Sequence, residues 1–149
     1  MKVVINGCYG GFSLSPEALQ RLYDIGMKEI ATPVDEYFPP DRRAEDDEKY
    51  KTLGYTHAIN GWREYKAGKR EGRFLFLTVF TPDEQFVLNG DREVNRDDPR
   101  LIQIVEEMGE AANGSCANLR IVEIPDGTDY EVNEYDGFEH VAEKHRTWS

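Results

Sequence analysis

Short apolar runs broken by glycine and proline open the chain, and their spacing predicts a strand followed by a helix. Val3-Val4-Ile5 is a β-branched run that stops at Asn6-Gly7, which predicts a buried strand ending in a turn. Ser15 is a good N-cap, and Pro16 suits the first helical position because the N–H that proline lacks has no helical partner there. We therefore expect a helix from Ser15 to about Gly26.

A second helix is predicted after Asp98-Pro99, where an aspartate cap again precedes a proline. The apolar residues that follow recur at spacings of three and four, which is typical of one buried helix face. They are Leu101, Ile104, Val105, Met108 and Ala112. Asn113-Gly114 is expected to end this helix.

Three further patterns predict strands. Residues 74–80 and 86–88 flank a Pro-Asp turn and predict a hairpin, and residues 119–124 predict a strand. Residues 130–135 and 138–145 predict a second hairpin that turns at Asp136-Gly137, although its second arm could instead be helical. The order of elements predicts one α+β domain of 149 residues, an antiparallel or mixed sheet with two main helices.

Residues 31–72 differ from the rest and are interpreted as a variable insertion. Charges of both signs alternate over residues 41–49, which predicts a solvated short helix or a mobile loop. Aromatic residues are interleaved with these charges, so parts of the insertion are expected to dock on the body of the protein. They are Tyr37, Phe38, Tyr50, Tyr55, Trp62 and Tyr65.

The formal net charge of −11 argues against binding of DNA or an anionic membrane through a general basic face. No apolar run approaches the roughly 20 residues needed to span a bilayer. Two cysteines are too few for a disulfide framework, and the first residues show no signal-peptide apolar region. These features predict a soluble, cytoplasmic protein.

The glycine-rich segment that joins the first strand to the first helix is the strongest candidate for a binding site. A helix N-terminus offers unpaired N–H groups to an anion, and glycine lets a ligand or another backbone approach closely. The segment has neither the Gly-Lys-Ser/Thr ending of a P-loop nor Gly-x-Gly-x-x-Gly spacing. A packing corner and a ligand cradle therefore remain open alternatives. The candidate ligand-binding residues here are Asn6, Cys8, Tyr9, Gly10, Gly11 and Ser13.

Catalytic interpretations of the chain are weak. A phosphatase-like Cys8 would need an arginine shortly after it, but none occurs before Arg21, so an inert cysteine is expected. Strand alternation places Glu139, Glu143 and His145 on one face, where they could bind a metal or act as acid and base. Ordinary cross-strand charge pairs need the same residue types, so no metal site, cofactor or catalytic residue is predicted.

Acidic residues dominate the stretch from Asp126 to Glu143, which contains no lysine or arginine. They are Asp126, Asp129, Glu131, Glu134, Asp136, Glu139 and Glu143. Such a stripe could imitate nucleic acid and occupy a basic partner, or simply keep the protein soluble.

Segments at both ends of the chain and in its middle can be compared together. They are Asn6-Gly7-Cys8-Tyr9-Gly10-Gly11-Phe12-Ser13-Leu14-Ser15, Glu134-Tyr135-Asp136-Gly137 with Glu143-Lys144-His145-Arg146-Thr147-Trp148, and Arg96-Asp97-Asp98-Pro99. In these segments the chain resembles a family of small phage and prophage proteins. The resemblance implies a phage-derived accessory protein and carries no established activity.

Three functional hypotheses follow. The first is a protein that binds rather than catalyses and sequesters a nucleotide-type host signal, with Arg96 and Arg146 neutralising the ligand and Tyr9, Tyr135 or Trp148 stacking on a base. Glu143 and His145 complete this candidate site. The second is an acidic antagonist of a basic host protein, and the third is an enzyme using Cys8 or Glu143 with His145. A homo-oligomer is compatible with each.

Overall fold

The structure is a computed structural model that describes residues 1–38, 48–69, 78–114 and 117–144. The described strands are β1 (Lys2–Asn6), β2 (Ala31–Pro33), β3 (Phe86–Leu88), β4 (Leu119–Glu123), β5 (Tyr130–Tyr135) and β6 (Phe138–Glu143). The described α-helices are α1 (Pro16–Asp24), α2 (Val34–Tyr37), α3 (Glu48–Lys66) and α4 (Pro99–Met108). The strands form three antiparallel pairs, β1 with β4, β2 with β3 and β5 with β6. The predicted α+β class is confirmed.

Backbone contacts divide the chain into two compact units. The first combines residues 1–27 with residues 91–149, and the second comprises residues 28–90. The first unit holds α1, α4 and the pairs β1–β4 and β5–β6, whereas the second holds α2, α3 and the pair β2–β3. The second unit extends beyond both ends of the predicted insertion.

The core of the first unit lies between β1 and the two helices. Val3 and Val4 of β1 are fully buried, α1 packs against α4, and Leu22, Leu101 and Ile104 of these two helices are also fully buried. Complete burial of a Leu or Ile side chain stabilises a fold by about 1.5–3 kcal/mol. These residues fix the framework from which the glycine segment and the β5–β6 hairpin emerge.

Both predicted helix caps of the first unit are confirmed. The Ser15 hydroxyl accepts a hydrogen bond from the N–H of Ala18 (3.2 Å) and donates one to the carbonyl of Ala111 (2.6 Å). The Asp98 carboxylate accepts a hydrogen bond from the N–H of Arg100 (2.9 Å). Each cap satisfies N–H groups that the first helical turn leaves unpaired.

The second predicted helix ends earlier than expected. It was predicted to reach Asn113-Gly114, but α4 ends at Met108 and a 3-10 turn covers Gly109–Ala112. Gly109 has φ +56°, in the left-handed region where glycine is favoured, and this breaks the α-helical ladder. Ala112 is nevertheless fully buried, so the apolar pattern continues while the helix type changes.

The edge of β1 that faces away from β4 is closed by a turn carbonyl and by a side chain of β6, and not by the backbone of another strand. The N–H of Val4 donates to the carbonyl of Arg96 (2.8 Å), and the N–H of Asn6 donates to Oε1 of Glu139 (2.8 Å). Backbone N–H groups at a buried sheet edge need such partners. This explains why β5 and β6 form a separate pair and do not extend the sheet.

The second unit buries aromatic side chains. The Phe38 ring lies 5.4 Å from Tyr55 and 6.3 Å from the fully buried Phe80, and Trp62 stacks on Tyr65 at 5.8 Å. These three contacts lie within the unit and keep its described helices and loops together.

Two predictions for the second unit fall partly outside the described residues. Of the predicted charged loop, residues 41–47 lie outside them, and residues 48 and 49 begin α3. Of the predicted 74–80 and 86–88 hairpin, residues 74–77 lie outside them. The part within them has hairpin hydrogen bonds from Leu88 N–H to the Val79 carbonyl (2.8 Å) and from Thr81 N–H to the Phe86 carbonyl (2.9 Å).

Among the helices of the described residues, none has the length and apolar character needed to cross a membrane.

Candidate functional site

The glycine segment after β1 meets the tip of the β5–β6 hairpin. The N–H of Gly10 donates to the carbonyl of Asp136 (3.2 Å). The fully buried Asn6 donates through Nδ2 to the carbonyls of Cys8 and Gly137, each at 2.7 Å. These hydrogen bonds therefore join two segments that lie far apart in the sequence.

This contact requires glycine at the hairpin tip. Gly137 has φ +87°, and a Cβ added there would lie 2.2 Å from the nitrogen of Gly11 and 2.7 Å from that of Gly10. Such distances are far below van der Waals contact, and the opposing atoms are backbone. The glycine turn is thus a packing corner on the side that faces Gly137.

A cleft of about 420 Å³ opens beside the packing corner, and we call it the glycine cleft. Its lining comes from the glycine segment, the 3-10 turn Asp91–Glu93 and the hairpin tip. The lining residues are Gly10, Gly11, Phe12, Arg92, Arg96, Glu134, Asp136, Gly137 and Glu139. A Cβ added at Gly11 would meet nothing within 4 Å, so the backbone of Gly11 packs against Gly137 on one side and borders open space on the other.

One wall of the cleft is held by an ion pair between Arg96 and Glu139. The two guanidinium N–H groups donate to the two carboxylate oxygens at 2.5 and 2.9 Å, a bidentate arrangement. The side chains are 16% and 5% exposed, and the guanidinium also lies 3.6 Å from the centre of the Phe12 ring. Because Glu139 compensates the charge of Arg96, this arginine shapes the wall more than it attracts an anion.

Glu139 therefore has a role that the site prediction did not assign. It was predicted only as one of several carboxylates on a strand face and in the acidic stripe. Its Oε1 accepts from both Arg96 and the N–H of Asn6, so one carboxylate ties the hairpin to the edge of β1. The signal that could have found it is the position of Glu139 two residues after the predicted Asp136-Gly137 turn.

The cleft also presents charged groups that are not compensated within the fold. Arg92, Glu134 and Asp136 are exposed, and in the described part of the chain their side chains take part in no hydrogen bond or ion pair. Glu134 lies directly across from Glu139 in the hairpin register, on the cleft side. One cation and two carboxylates are therefore available to a ligand.

Two of the predicted aromatic residues, Tyr9 and Tyr135, lie outside the cleft. Strand alternation puts Tyr135 and its cross-strand partner Phe138 on the hairpin face opposite Glu134 and Glu139. The Tyr9 ring packs beside Phe138 at 5.5 Å between ring centres. The stacking role predicted for Tyr9 and Tyr135 toward a ligand in this cleft is therefore not supported by their position.

Two other candidates in the glycine segment have structural contacts. Ser13 packs against Gly114, since a Cβ added at Gly114 would meet the Ser13 hydroxyl, and the N–H of Gly114 donates to the Ser13 carbonyl (3.0 Å). The thiol of Cys8 donates to Oδ1 of Asn6 (3.4 Å), and the same oxygen accepts from the N–H of Asn118 (2.8 Å). Neither Ser13 nor Cys8 lines the glycine cleft.

The remaining candidates belong to the far end of the hairpin or lie beyond it. Glu143 pairs with Tyr130, five register positions from the tip, which corresponds to roughly 17 Å along a strand. Burial raises the pKa of Tyr130, and the nearby carboxylate of Asp97 raises it further. His145, Arg146 and Trp148 lie outside the described residues.

The acidic stripe is not a single surface. Glu131 lies on the opposite hairpin face from Glu134, Glu139 and Glu143, and Glu139 is buried. Asp129 pairs with Lys144 at 3.5 Å, and Asp126 accepts from the amino group of Met1. An antagonist that acts through one continuous stripe is therefore not favoured by the geometry.

Metal chemistry has no support within the described residues, where no group of three or more His, Cys, Asp or Glu side chains is arranged to hold an ion. Comparison with known proteins adds no homologue, because no family model, curated protein or solved structure matches the chain.

Proposed function

We propose that this chain is a phage-derived accessory protein that binds a small nucleotide-type ligand in the glycine cleft and does not transform it. Sequestration of a host signal in the host-cell cytoplasm would make such a protein a counter-defence factor. The observation that carries the binding proposal is the glycine cleft itself, whose lining includes Arg92, Glu134 and Asp136. The phage setting rests on the resemblance of the two chain ends.

The size and chemistry of the cleft suit a small polar molecule. Its volume of about 420 Å³ falls within the roughly 300–1,000 Å³ typical of small-molecule sites. Arg92 offers planar N–H donors to a phosphate, and the carboxylates of Glu134 and Asp136 can accept hydrogen bonds from ribose hydroxyls or a base amino group.

The balance of charge limits the class of nucleotide. Among the described residues, two arginines and three carboxylates line the cleft, and Arg96 is already paired with Glu139. A ligand with several phosphates would meet net repulsion from this set, so a single phosphate or a phosphodiester is favoured. Within the described part of the chain no exposed ring lines the cleft, because Phe12 is buried under Arg96. We therefore expect little discrimination among bases.

The side chains in the cleft argue for binding over catalysis. A nucleophile needs an adjacent base within hydrogen-bond reach, and the candidate nucleophile Cys8 does not line the cleft. Among the described residues that line the cleft there is no histidine.

Titration calorimetry with adenosine, AMP, ADP-ribose and a cyclic dinucleotide tests the proposal. AMP is expected to bind more tightly than adenosine, because its phosphate meets Arg92. The Arg92→Gln variant should weaken AMP binding by about tenfold or more, as loss of a charge-assisted hydrogen bond does. Glu134→Gln should tighten binding of the more anionic ligands by removing a repulsive charge.

Arg21→Gln is the matched control, because Arg21 is a partly exposed surface arginine that pairs with Glu107 and does not line the cleft. It should bind every ligand as the wild type does. If folded protein gives no heat of binding with any of the four ligands, the proposal of a nucleotide-type ligand is refuted. If Arg92→Gln and Arg21→Gln change the ligand affinity equally, any ligand that binds does so outside the glycine cleft.

A further inference from the structure

The face of the hairpin tip opposite the cleft carries three exposed aromatic rings, Tyr9, Tyr135 and Phe138, which we call the tip patch. Tyr135 is 77% exposed, Tyr9 64% and Phe138 38%. Tyr135 and Phe138 are directly paired across the two strands, and Tyr9 packs on Phe138 at 5.5 Å. None of the three lines the glycine cleft.

The surroundings of the tip patch are acidic. Asp136, which also lines the glycine cleft, lies in the turn between Tyr135 and Phe138, and Glu131 lies on the same hairpin face as the rings, four residues before Tyr135 in β5. Neither carboxylate takes part in an ion pair in the described part of the chain. No lysine or arginine occurs between residues 126 and 143. His140 lies on this face, and Lys144, which follows the same alternation, pairs with Asp129 at 3.5 Å.

We propose that the tip patch binds an arginine-rich segment of a partner protein. A guanidinium can stack on an exposed ring while it pairs with a neighbouring carboxylate, and the same chain already shows this preference where Arg96 lies over Phe12. A second copy of this chain is a poorer occupant, because each copy carries a formal charge of −11. Nucleic acid is repelled by the same charge.

The proposal does not depend on a ligand in the glycine cleft. It differs from the acidic-stripe hypothesis because the aromatic rings, and not the charge alone, would recognise the arginine side chains of the partner. Removal of a ring leaves the charge unchanged, whereas nonspecific attraction of a basic peptide depends on charge alone. Arginine and lysine peptides of equal charge should therefore be distinguished by the tip patch and not by the overall field.

Fluorescence anisotropy with labelled nona-arginine and nona-lysine peptides, at low and high salt, tests the proposal. Wild-type protein should bind nona-arginine more tightly than nona-lysine. In the Tyr9→Ser/Tyr135→Ser variant, nona-arginine affinity should fall by about 2- to 5-fold for each ring removed, and nona-lysine affinity should change little. Tyr37→Ser removes an exposed tyrosine of the second unit and should have no effect.

A charge comparison completes the experiment. Glu131→Gln should weaken nona-arginine binding more than Glu110→Gln, an equal change of charge at an exposed site away from the hairpin. Equal losses from these two variants, or unchanged binding in the double tyrosine variant, would overturn the proposal. So would self-association in sedimentation velocity that the double tyrosine variant abolishes while neither peptide binds, because a second copy would then occupy the patch.

Discussion

Gly127 and Gly137 offer a controlled test of the contact between the glycine segment and the hairpin tip. Both follow an aspartate in a turn, and both have positive φ, +78° at Gly127 and +87° at Gly137. A Cβ added at Gly127 would meet nothing within 4 Å, whereas at Gly137 it would lie 2.2 Å from the nitrogen of Gly11. Alanine therefore imposes the same backbone strain at each site and a steric clash at only one.

The two substitutions should differ by the energy of that clash. A left-handed conformation costs an alanine about 1–2 kcal/mol at either position. Overpacking adds about 1–3 kcal/mol at Gly137, and the opposing backbone cannot relieve the clash by changing rotamer. The displaced tip would also stretch the hydrogen bonds to Asp136 and Gly137 that hold it. In a chain of 149 residues, this difference corresponds to roughly 2–12 °C in Tm.

Urea denaturation and calorimetry of wild type, Gly127→Ala and Gly137→Ala measure the difference directly. We expect Gly137→Ala to have the lower free energy of unfolding, and to lose any cleft ligand that Gly127→Ala still binds. Equal destabilisation of the two variants would refute the close approach of Gly137 to Gly10 and Gly11, and with it the geometry of the glycine cleft.

Three further predictions concern single side chains. Glu139→Gln should lower the free energy of unfolding by about 3–5 kcal/mol in urea denaturation, because it leaves the charge of Arg96 buried and unpaired. If the Arg96→Met/Glu139→Leu double variant is destabilised by as much as the sum of the two single variants, this account is contradicted. The side-chain hydrogen bond from Arg100 lowers the pKa of Asp98, so the cap contributes stability at neutral pH that falls below about pH 4; Asp98→Asn should flatten that acid limb. Ser15→Ala should cost about 1 kcal/mol in the same assay, and no change would argue against its capping bonds.

Features set by a few neighbouring residues were predictable from the sequence. Both helix caps and the Asp136-Gly137 turn depend on local backbone preferences, which a serine or aspartate before proline and an Asp-Gly pair express strongly. The predicted end of α4 was wrong by several residues, because Gly109 terminates the α-helix inside an apolar pattern that continues to Ala112. The periodicity of apolar residues shows which face of a helix is buried, but it does not distinguish the backbone hydrogen bonds of an α-helix from those of a 3-10 turn.

The site itself could be predicted only in part. Gly10, Gly11 and Arg96 were among the candidate residues, and all three line the cleft. Alternation alone could not show that Glu139 is buried, because carboxylates are rarely buried unless paired and its partner lies 43 positions away. Arg92 was missed because no motif surrounds it, and its importance depends on which groups the fold leaves uncompensated.

Packing corner and ligand cradle are not exclusive readings of the glycine segment. Gly10 and Gly137 need no ligand to explain them, since the contact of the two turns already demands glycine at the tip. Loss of binding after a glycine substitution would therefore report a displaced tip as readily as a lost ligand contact. The charged side chains of Arg92 and Glu134 are different, because nothing in the described part of the fold uses them. A general loss of structure cannot weaken the binding of one anionic ligand in Arg92→Gln and tighten it in Glu134→Gln. This pair of variants therefore provides the decisive test of the proposed function.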